Sequence, residues 1–184
     1  MYTLIGLPGS GKTTIGKQLA HLWGMGFVDS DHVIEQRLGC TIADYFSAHG
    51  EAAFRDVEQQ VIDEITAVPQ PLLLSTGGGV VLREANRIHL HSRSTVFYLQ
   101  AAPDDIARRL RNDTTRPLLK GQDPALRLRE LMQQRHALYL ATAHYTIKTA
   151  RLSVTQVVRK LAMQAELGEY DFPAPHGGAM ATPR

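Results

Sequence analysis

Gly6-Leu7-Pro8-Gly9-Ser10-Gly11-Lys12-Thr13-Thr14 fills the pattern G-x-x-x-x-G-K-[ST] with Gly6, Gly11, Lys12 and Thr13. A short apolar run, Tyr2-Thr3-Leu4-Ile5, comes before it, and a segment of helical pattern, Ile15 to Trp23, comes after it. Strand, glycine-rich loop and helix in that order are what a phosphate cradle requires. Glycines let the backbone curl so that successive N–H groups face an anion. The start of the following helix adds unpaired N–H groups and the positive end of its dipole. Lys12 is then placed to reach the outer phosphates of a nucleotide, and the Thr13 hydroxyl to hold the Mg²⁺ that bridges them. A dinucleotide site would need G-x-G-x-x-G, but Gly9 and Gly11 are followed by Thr14 at the third position. The loop therefore calls for a mononucleotide triphosphate.

The 184 residues suffice for one domain with a real core. Hydrophobic residues make up 43% and charged residues 21%, as in ordinary globular proteins. A formal net charge of +2 is too small to argue for nucleic acid or a membrane surface. The single cysteine, Cys40, allows no internal disulfide and fits a reducing compartment. The first strand begins at once, leaving no room for a signal peptide, and no apolar run approaches ~20 residues. The expectation is a cytoplasmic protein.

Strand-length apolar runs, Tyr2–Leu7, Gly26–Val28, Leu72–Ser75, Thr95–Leu99 and His144–Lys148, alternate with helical patterns. The helices are expected near 12–23, 31–38, 42–48, 51–67, 83–91, 103–110, 124–140 and 153–166. This alternation predicts an α/β fold of three αβα layers around a five-stranded parallel sheet. Right-handed crossovers would gather Gly9–Thr14, Asp29–Asp31 and Thr76–Gly79 on one sheet edge. Asp123-Pro124 reads as a helix N-cap with proline in the first turn, and Ser153 with Gln156 as a capping box. The domain is expected to span 1–167, with 168–184 a flexible tail lacking period or turn chemistry.

Asp29 and Asp31 close the second strand. Asp31 is either a helix N-cap or a ligand-facing acid. Two carboxylates beside a phosphate loop could serve Mg²⁺ through water and orient or deprotonate an accepting hydroxyl. Neither Leu72-Leu73-Leu74 nor Val96-Phe97-Tyr98-Leu99 is followed by an acid, which disfavours an ATPase motor. Arg55 lies three residues before Glu58, so a surface ion pair is its modest alternative. Arg135 falls on the apolar stripe Leu128, Leu131, Met132, Leu138, Tyr139. An inward guanidinium needs a partner, either an acid of the protein or a carboxylate of the substrate. Gly77-Gly78-Gly79 fits close approach of main-chain N–H groups to a ligand. Arg108, Arg109, Arg111, Arg116 and Lys120 mark a basic segment of the kind that closes over phosphates.

Taken in this order and spacing, these motifs resemble the shikimate kinase family, a branch of the P-loop kinases related to nucleoside monophosphate kinases. The resemblance spans roughly residues 2–166. It rests on Gly6–Thr14, Phe27-Val28-Asp29-Ser30-Asp31, Phe54-Arg55 with Glu58, Gly77-Gly78-Gly79, Arg116-Pro117-Leu118-Leu119, and Arg135 with Leu138-Tyr139. It implies a P-loop kinase fold with a mobile lid at about 111–123. The implied activity is transfer of the ATP γ-phosphate to the 3-hydroxyl of shikimate in aromatic amino-acid biosynthesis. ATP would be held by Gly9, Ser10, Gly11, Lys12, Thr13, Thr14, Arg109 and Arg116. Lys12, Asp31 and Arg116 would be catalytic, with Asp31 the base. Asp31, Arg55, Gly77, Gly78, Gly79 and Arg135 would bind shikimate, and Thr13 would ligate Mg²⁺ with help from Asp29. A monomer without nucleic-acid or membrane partners is expected. The Arg151-Leu152-Ser153-Val154 stretch departs from the family's adenine-contacting pattern.

A gluconate kinase of the same fold is the nearest alternative, since gluconate also carries a carboxylate and hydroxyls. A non-catalytic nucleotide-binding regulatory domain would keep the loop but have no reason for Asp31, Arg55 and Arg135 together.

Overall fold

The computed structural model describes residues 1–110 and 123–171, with side chains through Gly168. Five strands form one parallel sheet: β1 (Tyr2–Ile5), β2 (Gly26–Asp29), β3 (Leu72–Ser75), β4 (Thr95–Gln100) and β5 (Tyr145–Lys148), in the order β2-β3-β1-β4-β5. Register sets Thr3 opposite Leu74 on one side and Val96 on the other. The chain steps from β1 out to β2 and from β3 across to β4, so β1 sits at the switch point where ligands bind beyond the strand C-termini.

The helices are α1 (Lys12–Trp23), α2 (Ser30–Leu38), α3 (Ile42–Ala67), α4 (Glu84–Arg93), α5 (Pro103–Leu110), α6 (Pro124–Thr142) and α7 (Val154–Asp171), with a 3₁₀ turn over Val80–Leu82. Alternation along the strands divides the core. Leu4, Leu73, Phe97 and Leu99 turn to α1 and α7, where Ile15, Leu19, Val157 and Leu161 meet them. Ile5, Leu74, Val96 and Tyr98 turn the other way, to Ile62, Leu90, Ile106, Leu128 and Tyr139. Each such fully buried side chain contributes roughly 1.5–3 kcal/mol of transfer free energy. A smaller cluster of Ile34, Phe54 and Val61 fastens α2 to α3.

The expected caps form: Ala125 N–H donates to Asp123 Oδ1 at 3.0 Å, and Ser153 and Gln156 bond reciprocally. The two helices expected over 42–48 and 51–67 are halves of α3, broken at Gly50, where φ is 81°. β1 stops at Ile5, since Gly6 already turns into the loop. The last helix runs past its expected end at 166 to Asp171, entering the segment read as tail. It continues because Gly168 is buried against the Tyr145 hydroxyl of β5. The rest of that segment, and the lid expected at 111–123 apart from Asp123, lie outside the described residues. No described helix is long and apolar enough to cross a membrane.

Candidate active site

The loop between β1 and α1 is closed by its own lysine. Lys12 Nζ donates to the carbonyls of Gly6 at 2.9 Å and Leu7 at 2.8 Å, and to Ser10 Oγ at 3.4 Å. Those bonds bend the loop around the ammonium, while Gly9 and Gly11, at φ 76° and 94°, adopt the left-handed conformation that glycine alone takes cheaply. Gly9, Gly11, Lys12, Thr13 and Thr14 line a cavity of about 780 Å³, together with Asp29 and Asp31. Ser10 is buried beneath the loop. The cavity is large enough for a nucleotide.

The two acids divide their work in a way the sequence left open. Asp29, the last residue of β2, is the N-cap of α2: its Oδ1 accepts from Asp31 N at 3.1 Å. Its Oδ2 accepts from Thr13 Oγ1 at 2.7 Å, and Ser75 Oγ at the end of β3 lies 3.5 Å from the same hydroxyl. Asp31 does not cap the helix. It stands in the first turn of α2, and its carboxyl is pushed up to about 6 from an ordinary 3.8. Burial is the main cause; Asp29, Glu58 and Glu35 add to it, and only Lys12 opposes.

A second cavity, of about 350 Å³, opens beside the first and shares Pro8, Gly9, Asp31, Gly77 and Gly78 with it. Arg55, Glu58, Gly79, Gln134 and Arg135 add to its polar wall, with Glu51 and Arg127 also on the lining; Phe46, Phe54, Leu128 and Leu131 supply apolar surface. The ion pair of Arg55 with Glu58 does form, at 2.6 Å, but it is buried rather than on the surface, Glu58 being 1% exposed. Arg55 also reaches the exposed Glu51 at 3.3 Å and lies over the Phe54 ring. Burial pushes the Glu58 carboxyl up against the pull of Arg55 and Arg135. Arg135 Nε is buried with no hydrogen-bond partner among the described residues. The protein thus leaves that guanidinium short of one acceptor.

The glycine triplet is shaped by its neighbours. A Cβ on Gly77 would sit 2.7 Å from Asp31 Oδ1 and 3.3 Å from Glu58 Oε1, and one on Gly79 would collide with the Arg55 guanidinium. Glycine therefore lets two carboxylates and an arginine close on the backbone. Arg109 is brought to neither cavity; it is exposed on α5, its Nε donating to the Asp105 carbonyl of its own helix. Arg116 lies outside the described residues. Sequence reasoning gave no site role to Phe46, which lines both cavities and reads as an ordinary apolar helix position, or to Ser75, whose only signal was its place at a strand end.

Oxygen donors suit Mg²⁺, and the Thr13 hydroxyl, Asp29 and Ser75 offer only oxygens. Among the described residues no group of three His, Cys, Asp or Glu side chains forms a self-sufficient metal cage.

Comparison with known proteins agrees with this geometry. The shikimate kinase family model matches residues 8–166. A shikimate kinase of Paracidovorax citrulli is 52% identical over 94% of this chain and 95% of its own length. One from Ralstonia nicotianae is 45% identical over 92% and 88%. The solved shikimate kinase of Acinetobacter baumannii, in complex with shikimate, superposes with a TM-score of 0.84 at 39% identity, over 91% of this chain and 93% of that one. By fold, sequence and the arrangement at the sheet edge, the chain belongs to the shikimate kinase family.

Proposed function

We infer that this protein is an ATP-dependent kinase that phosphorylates the 3-hydroxyl of shikimate, with the triphosphate in the larger cavity and shikimate in the smaller. The observation that carries the acceptor assignment is the buried Arg135 Nε, which has no hydrogen-bond partner among the described residues and lines, with Arg55, a cavity that shares its wall with the phosphate loop. A carboxylate supplies the missing acceptor and a bidentate match for a guanidinium. Family membership favours shikimate over gluconate as the owner of that carboxylate.

In this reading Arg55 and Arg135 grip the carboxylate, with Gly77, Gly78 and Gly79 close to the ring. Asp31, on the wall common to both cavities, orients the accepting hydroxyl and takes its proton. Phosphoryl transfer asks mainly for alignment and charge neutralisation. Lys12 swings from loop carbonyls to the outer phosphates, and Arg116, between α5 and α6, adds positive charge. Ser10, Thr14 and the loop glycines cradle the phosphates. The Thr13 hydroxyl would hold Mg²⁺, with Asp29 on its waters; when bound, the ion offsets charge between the two outer phosphates. We also propose a lid over 111–123 on a single domain that takes in α7 as far as Asp171, in a protein that works as a cytoplasmic monomer.

A coupled ADP-release assay tests this directly. Shikimate should support turnover and gluconate and nucleoside monophosphates should not; comparable rates with gluconate would overturn the assignment. Arg135→Ala should raise KM for shikimate at least ~10-fold, the worth of a charge-assisted bond, and leave KM for ATP unchanged.

A further inference from the structure

Three consecutive glycines allow close approach but hold no shape of their own, since none has a side chain to anchor it. Two of the three carbonyls are fixed locally. Val80 N–H donates to the Gly77 carbonyl at 3.2 Å, and Leu82 N–H to the Gly79 carbonyl at 3.0 Å. The middle carbonyl, Gly78, is held from 61 residues away, by the Tyr139 hydroxyl of α6 at 2.5 Å. A trans peptide keeps its C=O and N–H antiparallel. Fixing the Gly78 oxygen toward α6 therefore turns the Gly79 N–H to the opposite side of that peptide plane.

Tyr139 is built to be rigid. It is fully buried, its ring stacks on Tyr98 of β4 at 4.9 Å, and Tyr98 in turn meets His136 Nδ1 at 3.1 Å. Burial raises the Tyr139 phenol well above its usual range, so the hydroxyl stays protonated and remains a donor. The positive charge of the Arg135 guanidinium acts on the same hydroxyl, opposing the effect of burial. One oxygen thus bonds the glycine backbone and lies in the field of the arginine one helical turn earlier.

We propose that Tyr139 is a positioning residue for the acceptor carboxylate: its hydroxyl locks the Gly78–Gly79 peptide, so that this wall of the cavity meets the acid in one geometry opposite the arginines. This rests on the acceptor cavity being the shikimate site. Without the hydroxyl, the Gly78 carbonyl loses its buried donor and the middle peptide is free to rotate. Acceptor affinity should fall, while the ATP loop, which Tyr139 does not touch, should not change.

The test compares Tyr139→Phe with Tyr98→Phe. Both delete one hydroxyl from the same stacked pair, but only the first bonds the triplet. Tyr139→Phe should raise KM for shikimate about tenfold, with KM for ATP and kcat within about twofold of the parent. Tyr98→Phe should leave KM for shikimate within about twofold. Combining Tyr139→Phe with Arg135→Ala should raise KM by clearly less than the product of the single effects, because the two act on one ligand group. An unchanged KM in Tyr139→Phe, an equal rise in Tyr98→Phe, or multiplicative effects in the double variant would overturn the proposal. Should the unaltered protein fail to phosphorylate shikimate, the acceptor assignment itself falls, a result the Tyr139 variants alone cannot produce.

Discussion

Replacing Asp31 by Asn should make the ligand-free protein more stable at neutral pH while destroying its activity. The fold disfavours the charged form of this carboxyl, whose pKa is pushed up to about 6 from 3.8 by burial and by Asp29 and Glu58. Between those two values the folded protein holds a proton that the unfolded chain has released. Stability contributed by this group is therefore complete below about pH 4 and is lost as pH rises through about 6. The gap, at ~1.36 kcal/mol per pH unit, sets an upper bound of ~3 kcal/mol. Solvent access through the cavity reduces that to roughly 1–3 kcal/mol, or a Tm higher by ~2–12 °C for a chain of this size. Thermal unfolding of both proteins from pH 4 to pH 8 is the assay. The advantage of Asp31→Asn should vanish near pH 4 and be full by pH 7. Equal pH slopes, or a less stable variant at pH 7.5, would refute the electrostatic account of the site. The same carboxyl must be ionised to accept a proton. Turnover of the parent should accordingly fall on the acid side of about pH 6, and the Asn variant should bind ATP but not turn over.

Lys12→Ala should lower kcat by ~10²-fold or more, because the ammonium is the loop's own source of charge for the outer phosphates; near-normal steady-state turnover would sink the phosphate-loop role. Gly79→Ala should place a methyl against the Arg55 guanidinium, which Glu58 and Glu51 hold in place. We expect ~1–3 kcal/mol of lost stability and a several-fold rise in KM for shikimate with KM for ATP unchanged; wild-type values for both would show that Arg55 is not confined there.

Much of this architecture is legible in the chain because its signals are local. Gly-x-x-x-x-Gly-Lys-Thr fixes a loop, Asp123-Pro124 and Ser153 with Gln156 fix helix starts, and strand-length apolar runs fix a sheet. The two ends of α3 were each visible, and Gly50 explains why they read as separate helices. The end of α7 was not, because what prolongs it is the fit of Gly168 to Tyr145 on a strand far away in sequence. Which acid caps α2 was equally hidden. Asp29 and Asp31 are both competent caps, and the Thr13 contact that selects Asp29 crosses from another element. Tyr139 shows the limit most clearly. On the α6 stripe it is indistinguishable from the leucines around it, since periodicity reports burial but not the partner that a buried hydroxyl finds.

The charge of the acceptor cavity can be argued further than its shape. Of the three described arginines that line the cavity, Arg127 is exposed and paired with Glu130; Arg55 and Arg135 bring the two inner positive charges, and Glu58 is the buried carboxylate set against them. Glu51 is mostly exposed and its charge is screened by water. One guanidinium is thereby neutralised within the protein, and the Nε of the other has no hydrogen-bond partner among the described residues. A ligand with a single carboxylate closes that account; a neutral polyol would leave the partly buried Arg135 charge without a counter-ion and its Nε without a charged acceptor. Glu58 is the reason two arginines do not demand a dianion. By holding Arg55 in place while cancelling its charge, it leaves both guanidiniums for geometry and only one of them for charge, which fits an acceptor that is a monocarboxylic acid with its hydroxyls turned toward Asp31.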